Sequence, residues 1–169
     1  SDKIGRWLSS MSEIRDWSEA NKDRFDEDMF ETDSPRMSPM SPPTEQDIER
    51  MRSPFTNGVA AARSAGVAGE VSGLVEPHGF SLDEWVETGD RVMRAYIALQ
   101  MESQPDMTAK MNDTIQQMES APLSETQKNQ MITSLMRTLD IYNMMKDAPP
   151  EDVEAVRPMG DAIKQTFEN

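Results

Sequence analysis

His78 is the one histidine in the chain. An imidazole does acid–base or nucleophile-activating work only with a second group held beside it. Glu76 is the nearest acid in sequence, and Pro77-His78-Gly79 otherwise has the composition of a tight turn. A structural role for His78 is therefore the simpler expectation. Methionine offers a different chemistry. The 15 methionines include Met37 and Met40, spaced Met-x-x-Met, and Met107 and Met111, one helical turn apart. Thioethers are soft donors that favour Cu(I), so Met37 and Met40 are the candidate metal ligands. The competing expectation is that Met fills irregular gaps in helical cores, and Met111, Met118, Met131 and Met136 fall on apolar helical stripes.

Carboxylates are abundant but unordered. Asp26, Glu27, Asp28, Glu31 and Asp33 could offer oxygens to Ca²⁺, yet they lack the ligand order and turn glycine of an EF-hand. A solvated linker accounts for them. No spacing selects a pair of acids for hydrolytic work. The chain contains no cysteine, which excludes disulfides, thiol catalysis, iron–sulfur clusters and Cys-based zinc sites. No catalytic site and no cofactor are expected, and the chain reads as non-enzymatic.

The remaining candidate site is a binding one. Trp7, Trp17 and Phe25 fall on or beside the apolar stripe of an N-terminal helix. Such a helix either docks into a partner's groove or folds back onto its own bundle. Folding back is the expected arrangement, because an exposed stripe carrying two tryptophans favours aggregation. That would make these residues core.

The formal charge of −14, from 31 acidic and 17 basic residues, sets limits on partners. Nucleic acid is excluded as a partner, because Lys and Arg must replace the counterions of phosphates. Adsorption to an anionic membrane is disfavoured for the same reason. No run approaches the roughly 18 apolar residues of a membrane-spanning helix. The expected partner is a protein or small ligand, and the chain is expected to be a monomer or homodimer. A cysteine-free chain suits an oxidising compartment. The favoured location is therefore periplasmic or secreted in a bacterium, after removal of a signal peptide, with cytoplasmic as the alternative.

The elements that must position these residues are helices. An amphipathic helix is expected over residues 1–25, followed by an acidic, Pro/Met/Ser-rich linker or surface loop over 26–43 and a helical bundle over 44–169. Proline lacks an amide donor and restricts its predecessor, so neither helix nor sheet can run through Ser34 to Pro43. Within the bundle, Phe55 to Val75 reads as helix with a break near Gly66, and Pro77-His78-Gly79 is a stop. Ser81 with Glu84 forms a capping box for a long helix. That helix has Leu82, Trp85, Val86, Gly89, Met93, Tyr96 and Ile97 on one face. Asp83, Glu84, Glu87, Asp90, Arg91 and Arg94 lie on the other. Asp106 to Ser120 forms another helix. The next begins at Ser124 and runs to about Asp147; its second half is apolar on nearly all sides, so it is expected to be the most buried. Pro149-Pro150 opens a final helix with a break at Pro158.

Leu123-Ser124-Glu125-Thr126-Gln127 resembles the Leu-Thr-x-x-Gln motif of small periplasmic helical stress chaperones, with Ser in place of Thr. The resemblance covers five residues and one copy of the motif, and implies a helical hairpin that binds other proteins. Ser-x-x-Gln is also a capping box in its own right. The fold expected is an all-α, single-domain bundle of about five or six amphipathic helices, with the Pro-rich acidic insertion after the first. The function expected is that of an exported binding or accessory protein acting through a helix-lined surface or groove. The alternatives are a Met-based copper-binding protein and a periplasmic chaperone-like protein.

Overall fold

A computed structural model describes residues 2–24, 50, 52–102 and 107–168. Among them the fold is all-α, a compact arrangement of helices without strands. The helices are α1 (Asp2–Ala20), α2 (Pro54–Ser64), α3 (Ala68–Val75), α4 (Leu82–Glu102), α5 (Met107–Ser120), α6 (Glu125–Lys146), α7 (Pro150–Val156) and α8 (Gly160–Glu168). Phe25, Met37, Met40 and the stretch 26–43 lie outside the described residues.

Local chemistry sets the boundaries. Pro54 opens α2, where its missing N–H costs nothing. Gly66, at φ +75°, turns the chain between α2 and α3, a conformation that Gly adopts without steric penalty. Ahead of α4 the Ser81 amide donates to Glu84 Oε2 at 3.1 Å, and the Glu84 amide donates to Ser81 Oγ at 3.3 Å. The expected capping box is present. A short 3₁₀ turn at Arg157–Met159, containing Pro158, separates α7 from α8. The breaks at Gly66 and Pro158 divide two expected helices, so the segments outnumber the five or six anticipated.

The centre of the molecule is α4, which packs on α1, α2, α3, α6 and α7. Its small buried residues Gly89, Ala95 and Ala98 let neighbours approach from several sides. An aromatic cluster lies against it. Trp7 meets Phe55 edge-on at 5.1 Å between ring centroids, and Phe55 meets Trp85 likewise at 5.3 Å. Trp7 and Trp85 are 6.1 Å apart, with Phe167 at 6.3 Å from Trp7. Edge-to-face contacts of this kind add to the stabilisation from burial. A hydrogen-bond relay joins the two helices beneath the rings: Trp85 Nε1 donates to Ser10 Oγ at 2.7 Å, and Ser10 Oγ donates to the Trp7 carbonyl at 2.6 Å. The N-terminal helix is thus part of the core.

Gly89 makes the ring packing possible. A Cβ at this position would stand 2.7 Å from Phe55 Cδ2 and 2.9 Å from Trp7 Cζ2, well inside van der Waals contact. Gly89→Ala gains about 1 kcal/mol of helix propensity but forces two stiff rings apart, an overpacking cost that runs to about 3 kcal/mol. The net expectation is a loss of about 2 kcal/mol in urea unfolding. Gly73→Ala on α3, where nothing lies within 4 Å of the new methyl, is expected to stabilise by up to about 1 kcal/mol. Equal responses at the two sites would contradict this account of the core.

One expectation fails. The helix expected to be most buried is α6, but its only buried residues are Ile141 and Tyr142, in its last two turns. Met136 is 54% exposed and Met131 41%. Apolar character on all sides measured what α6 could bury; the centre is occupied by α4, which can be approached from more directions.

Candidate functional site

Helices α5 and α6 form a hairpin joined through residues 121–124. The turn is held by a reciprocal cap: Gln127 N–H donates to Ser124 Oγ at 3.3 Å while the Ser124 amide donates to Gln127 Oε1 at 3.3 Å. Lys128 Nζ reaches back to the Glu119 carbonyl at the end of α5 at 3.0 Å. Ser124 and Gln127, the motif residues of the five-residue resemblance, are accounted for by this capping. Leu123 beside them stays exposed.

The apolar surface of the hairpin is only half covered. No residue of α5 is buried. On α6, Ile132, Leu135 and Leu139 form a half-buried stripe, with Met131 and Met136 on its two flanks. At about 100° per residue these side chains span an arc of roughly 140°, and with α4 and α5 as its neighbours α6 leaves both edges of that arc open. Met131 lies about three turns before Tyr142 on the same side of α6; that side is buried at Tyr142 and open at Met131. Among the described residues the exposed large apolar side chains are Met107, Leu123, Met131 and Met136, and all four are on this hairpin.

Its charge differs from that of the rest of the chain. Residues 107–146 carry four basic side chains (Lys110, Lys128, Arg137, Lys146) and four acidic ones (Asp113, Glu119, Glu125, Asp140), so the whole formal charge of −14 lies elsewhere. Between Lys128 and Lys146 the arc from Met131 to Met136 contains no charged residue; Arg137 projects from the opposite side, and Asp140 stands one turn beyond Met136, at the edge of the arc.

The other candidate residues are dispersed. Trp7 is fully buried in the core. Trp17 is half-buried at the far end of α1, where its Nε1 donates to Glu70 Oε2 at 3.2 Å. Arg24 grips the same carboxylate through both terminal nitrogens, at 2.7 and 3.0 Å, which holds Glu70 below the usual carboxylate range. These contacts lock the end of α1 onto α3, so Trp7 and Trp17 do not form one docking face. Met107 and Met111 sit on α5, the first exposed and the second partly buried.

His78 has a partner that its sequence neighbourhood did not indicate. Glu13 Oε1, on α1, is 3.0 Å from His78 Nε2, whereas Glu76 is engaged with Ser72 Oγ. Arg6 Nη1 donates to the His78 carbonyl at 2.9 Å. The nearby hydroxyl of Ser9 donates to the Gly5 carbonyl at 3.0 Å, so it is turned toward its own helix. The pair fastens α1 to the turn before α4.

Asp90 corrects a second expectation. Assigned to the solvent face of its helix, it is 4% exposed. It lines a cleft of about 360 Å³ between α2 and α4. Its carboxylate accepts from the Phe55 amide at 2.9 Å, the Thr56 amide at 3.3 Å and the Thr56 hydroxyl at 2.5 Å. Ser53 provides no side-chain cap to α2, so an acid 35 residues away does so. Burial pushes the Asp90 carboxyl up, against the downward pull of those hydrogen bonds and of Arg94. At the mouth of the cleft Arg63 is paired with Asp83 at 2.6 Å. Periodicity missed this role because the spacing shows which side of a helix Asp90 is on, and not that a neighbour's N-terminus lies there.

Among the described residues no group of three or more His, Asp or Glu could hold a metal ion. No described helix is long and apolar enough to cross a membrane. Comparison of the chain with family models, curated proteins and solved structures finds no significant match.

Proposed function

We propose that this protein is a non-catalytic, exported helical binding protein, and that its working surface is the α5–α6 hairpin. The observation that carries the reading is the segregation of every exposed large apolar side chain among the described residues to that one uncharged-on-balance hairpin. Exposed apolar side chains gathered on one element mark a candidate interaction site, and methionine adapts to partners of varied shape because it is unbranched and polarisable. Amphipathic or unfolded protein segments are the matching ligands, docking as helix-in-groove partners do. The cysteine-free composition supports an oxidising compartment.

Aggregation of chemically denatured test proteins, followed by light scattering, checks this. Near-stoichiometric protein is expected to suppress scattering, and Met131→Ser/Met136→Ser is expected to lose at least about half of that effect, since each exposed anchor contributes on the order of 1 kcal/mol. Inactivity of the unsubstituted protein toward several clients would overturn the reading.

A further inference from the structure

We infer that Met107, Met131 and Met136 form an oxidation-sensitive site, and that converting them to sulfoxides turns the hairpin's binding surface off without unfolding the protein. This rests on the reading that α5–α6 is the working surface, and adds its regulation. Accessibility carries it. Met107 is 37% exposed, Met131 41% and Met136 54%, whereas the other described methionines are partly buried, and Met93 and Met159 pack against the core. Exposure governs which side chains an oxidant reaches. The chain has no thiol to intercept the oxidant first, and the indoles of Trp7 and Trp85 are fully buried. An oxidant of the peroxide class passes one oxygen atom to a lone pair of the thioether sulfur. Its O–O bond breaks, the remaining oxygen leaves as water, and the sulfide becomes a sulfoxide. The product is a polar, chiral side chain in place of an apolar one. Met131 and Met136 stand at the two edges of the stripe of Ile132, Leu135 and Leu139, so a partner reaching that stripe from either edge has to strip water from a sulfoxide. None of the three methionines is buried, and their oxidation spares the core. The change is reversible, since sulfoxide reductases restore the thioether.

The test treats the whole chain with limiting hydrogen peroxide and locates the added oxygen by peptide mass spectrometry. Met107, Met131 and Met136 are expected to oxidise at least about fivefold faster than Met93 and Met159, with the far-ultraviolet circular dichroism unchanged. The oxidised chain is expected to lose at least about half of its suppression of client scattering, and the two epimer-specific sulfoxide reductases to restore it. A Met107→Leu/Met131→Leu/Met136→Leu variant keeps apolar side chains of similar volume without the sulfur, and is expected to hold its activity through the same treatment. Equal oxidation of exposed and core methionines, or loss of helix on oxidation, overturns the inference whether or not clients are bound. So does a Leu variant that loses as much activity as the wild type. Selective oxidation of a chain that has no effect on clients would retain the oxidation site while rejecting the binding surface. Suppression of client aggregation that survives selective oxidation would do the reverse.

Discussion

Trp7→Ala is expected to lower the unfolding free energy by about 4 kcal/mol, as large aromatic truncations in cores do. Trp7 is fully buried and stands against Phe55, Trp85 and Phe167. Removing the indole leaves a cavity that rigid rings on three other helices cannot close. The loss corresponds to a fall in Tm of roughly 8–16 °C for a chain of this size. The near-ultraviolet circular dichroism of the remaining tryptophans should weaken as well, since Trp85 loses the tilted ring 6.1 Å from it. Trp17→Ala removes a half-exposed ring and one hydrogen bond to Glu70, and is expected to cost only about 1–2 kcal/mol. If the two substitutions cost the same, Trp7 does not anchor α1 to the bundle.

Asp90→Ala is expected to cost about 3 kcal/mol in urea unfolding. It removes the cap of α2, typically worth up to about 2 kcal/mol, and leaves the buried Phe55 amide without its acceptor, a further penalty of about 1–3 kcal/mol. Asp90→Asn keeps an acceptor oxygen and is expected to cost about 1 kcal/mol. The pH dependence separates the two effects of burial and capping. Burial raises the folded carboxyl above its unfolded value, so the folded state keeps its proton over a range in which the unfolded chain has released it. The stability contributed by this group is then full below the ordinary carboxylate pKa and declines as pH rises to the folded pKa. Asn does not titrate. The advantage of the wild type over Asp90→Asn should be largest in acid and narrow toward neutrality, and a gap that widens instead would mean that the hydrogen bonds outweigh burial.

These two residues show the difference between what a pattern can report and what it cannot. Trp7 belongs to a stripe repeating at the helical period, so its burial was legible. Asp90 lies on the polar side of its helix, and nothing in the spacing says that the N-terminus of α2 arrives there. The same limit applies to Glu13 and His78, which are 65 residues apart; the sequence neighbourhood offered Glu76 instead. Met131 and Met136 were read as core because they fall on an apolar stripe. Stripe width measures the surface a helix can bury, and the number of neighbours available decides how much it does bury.

The sequence by itself determined the helices and their ends, because caps, prolines and glycines act within a turn or two of where they stand. Ser81 with Glu84, Ser124 with Gln127, Gly66 and Pro158 each mark the boundaries expected of them. It also closed thiol chemistry, since the chain is cysteine-free. Only the tertiary structure decided which apolar faces would find partners. Placing α4 at the centre satisfied the stripes of its neighbours, while α6, packed on α4 and α5, buried only Ile141 and Tyr142. The α5–α6 hairpin therefore keeps Met107, Leu123, Met131 and Met136 in water, and the proposed function follows from that placement.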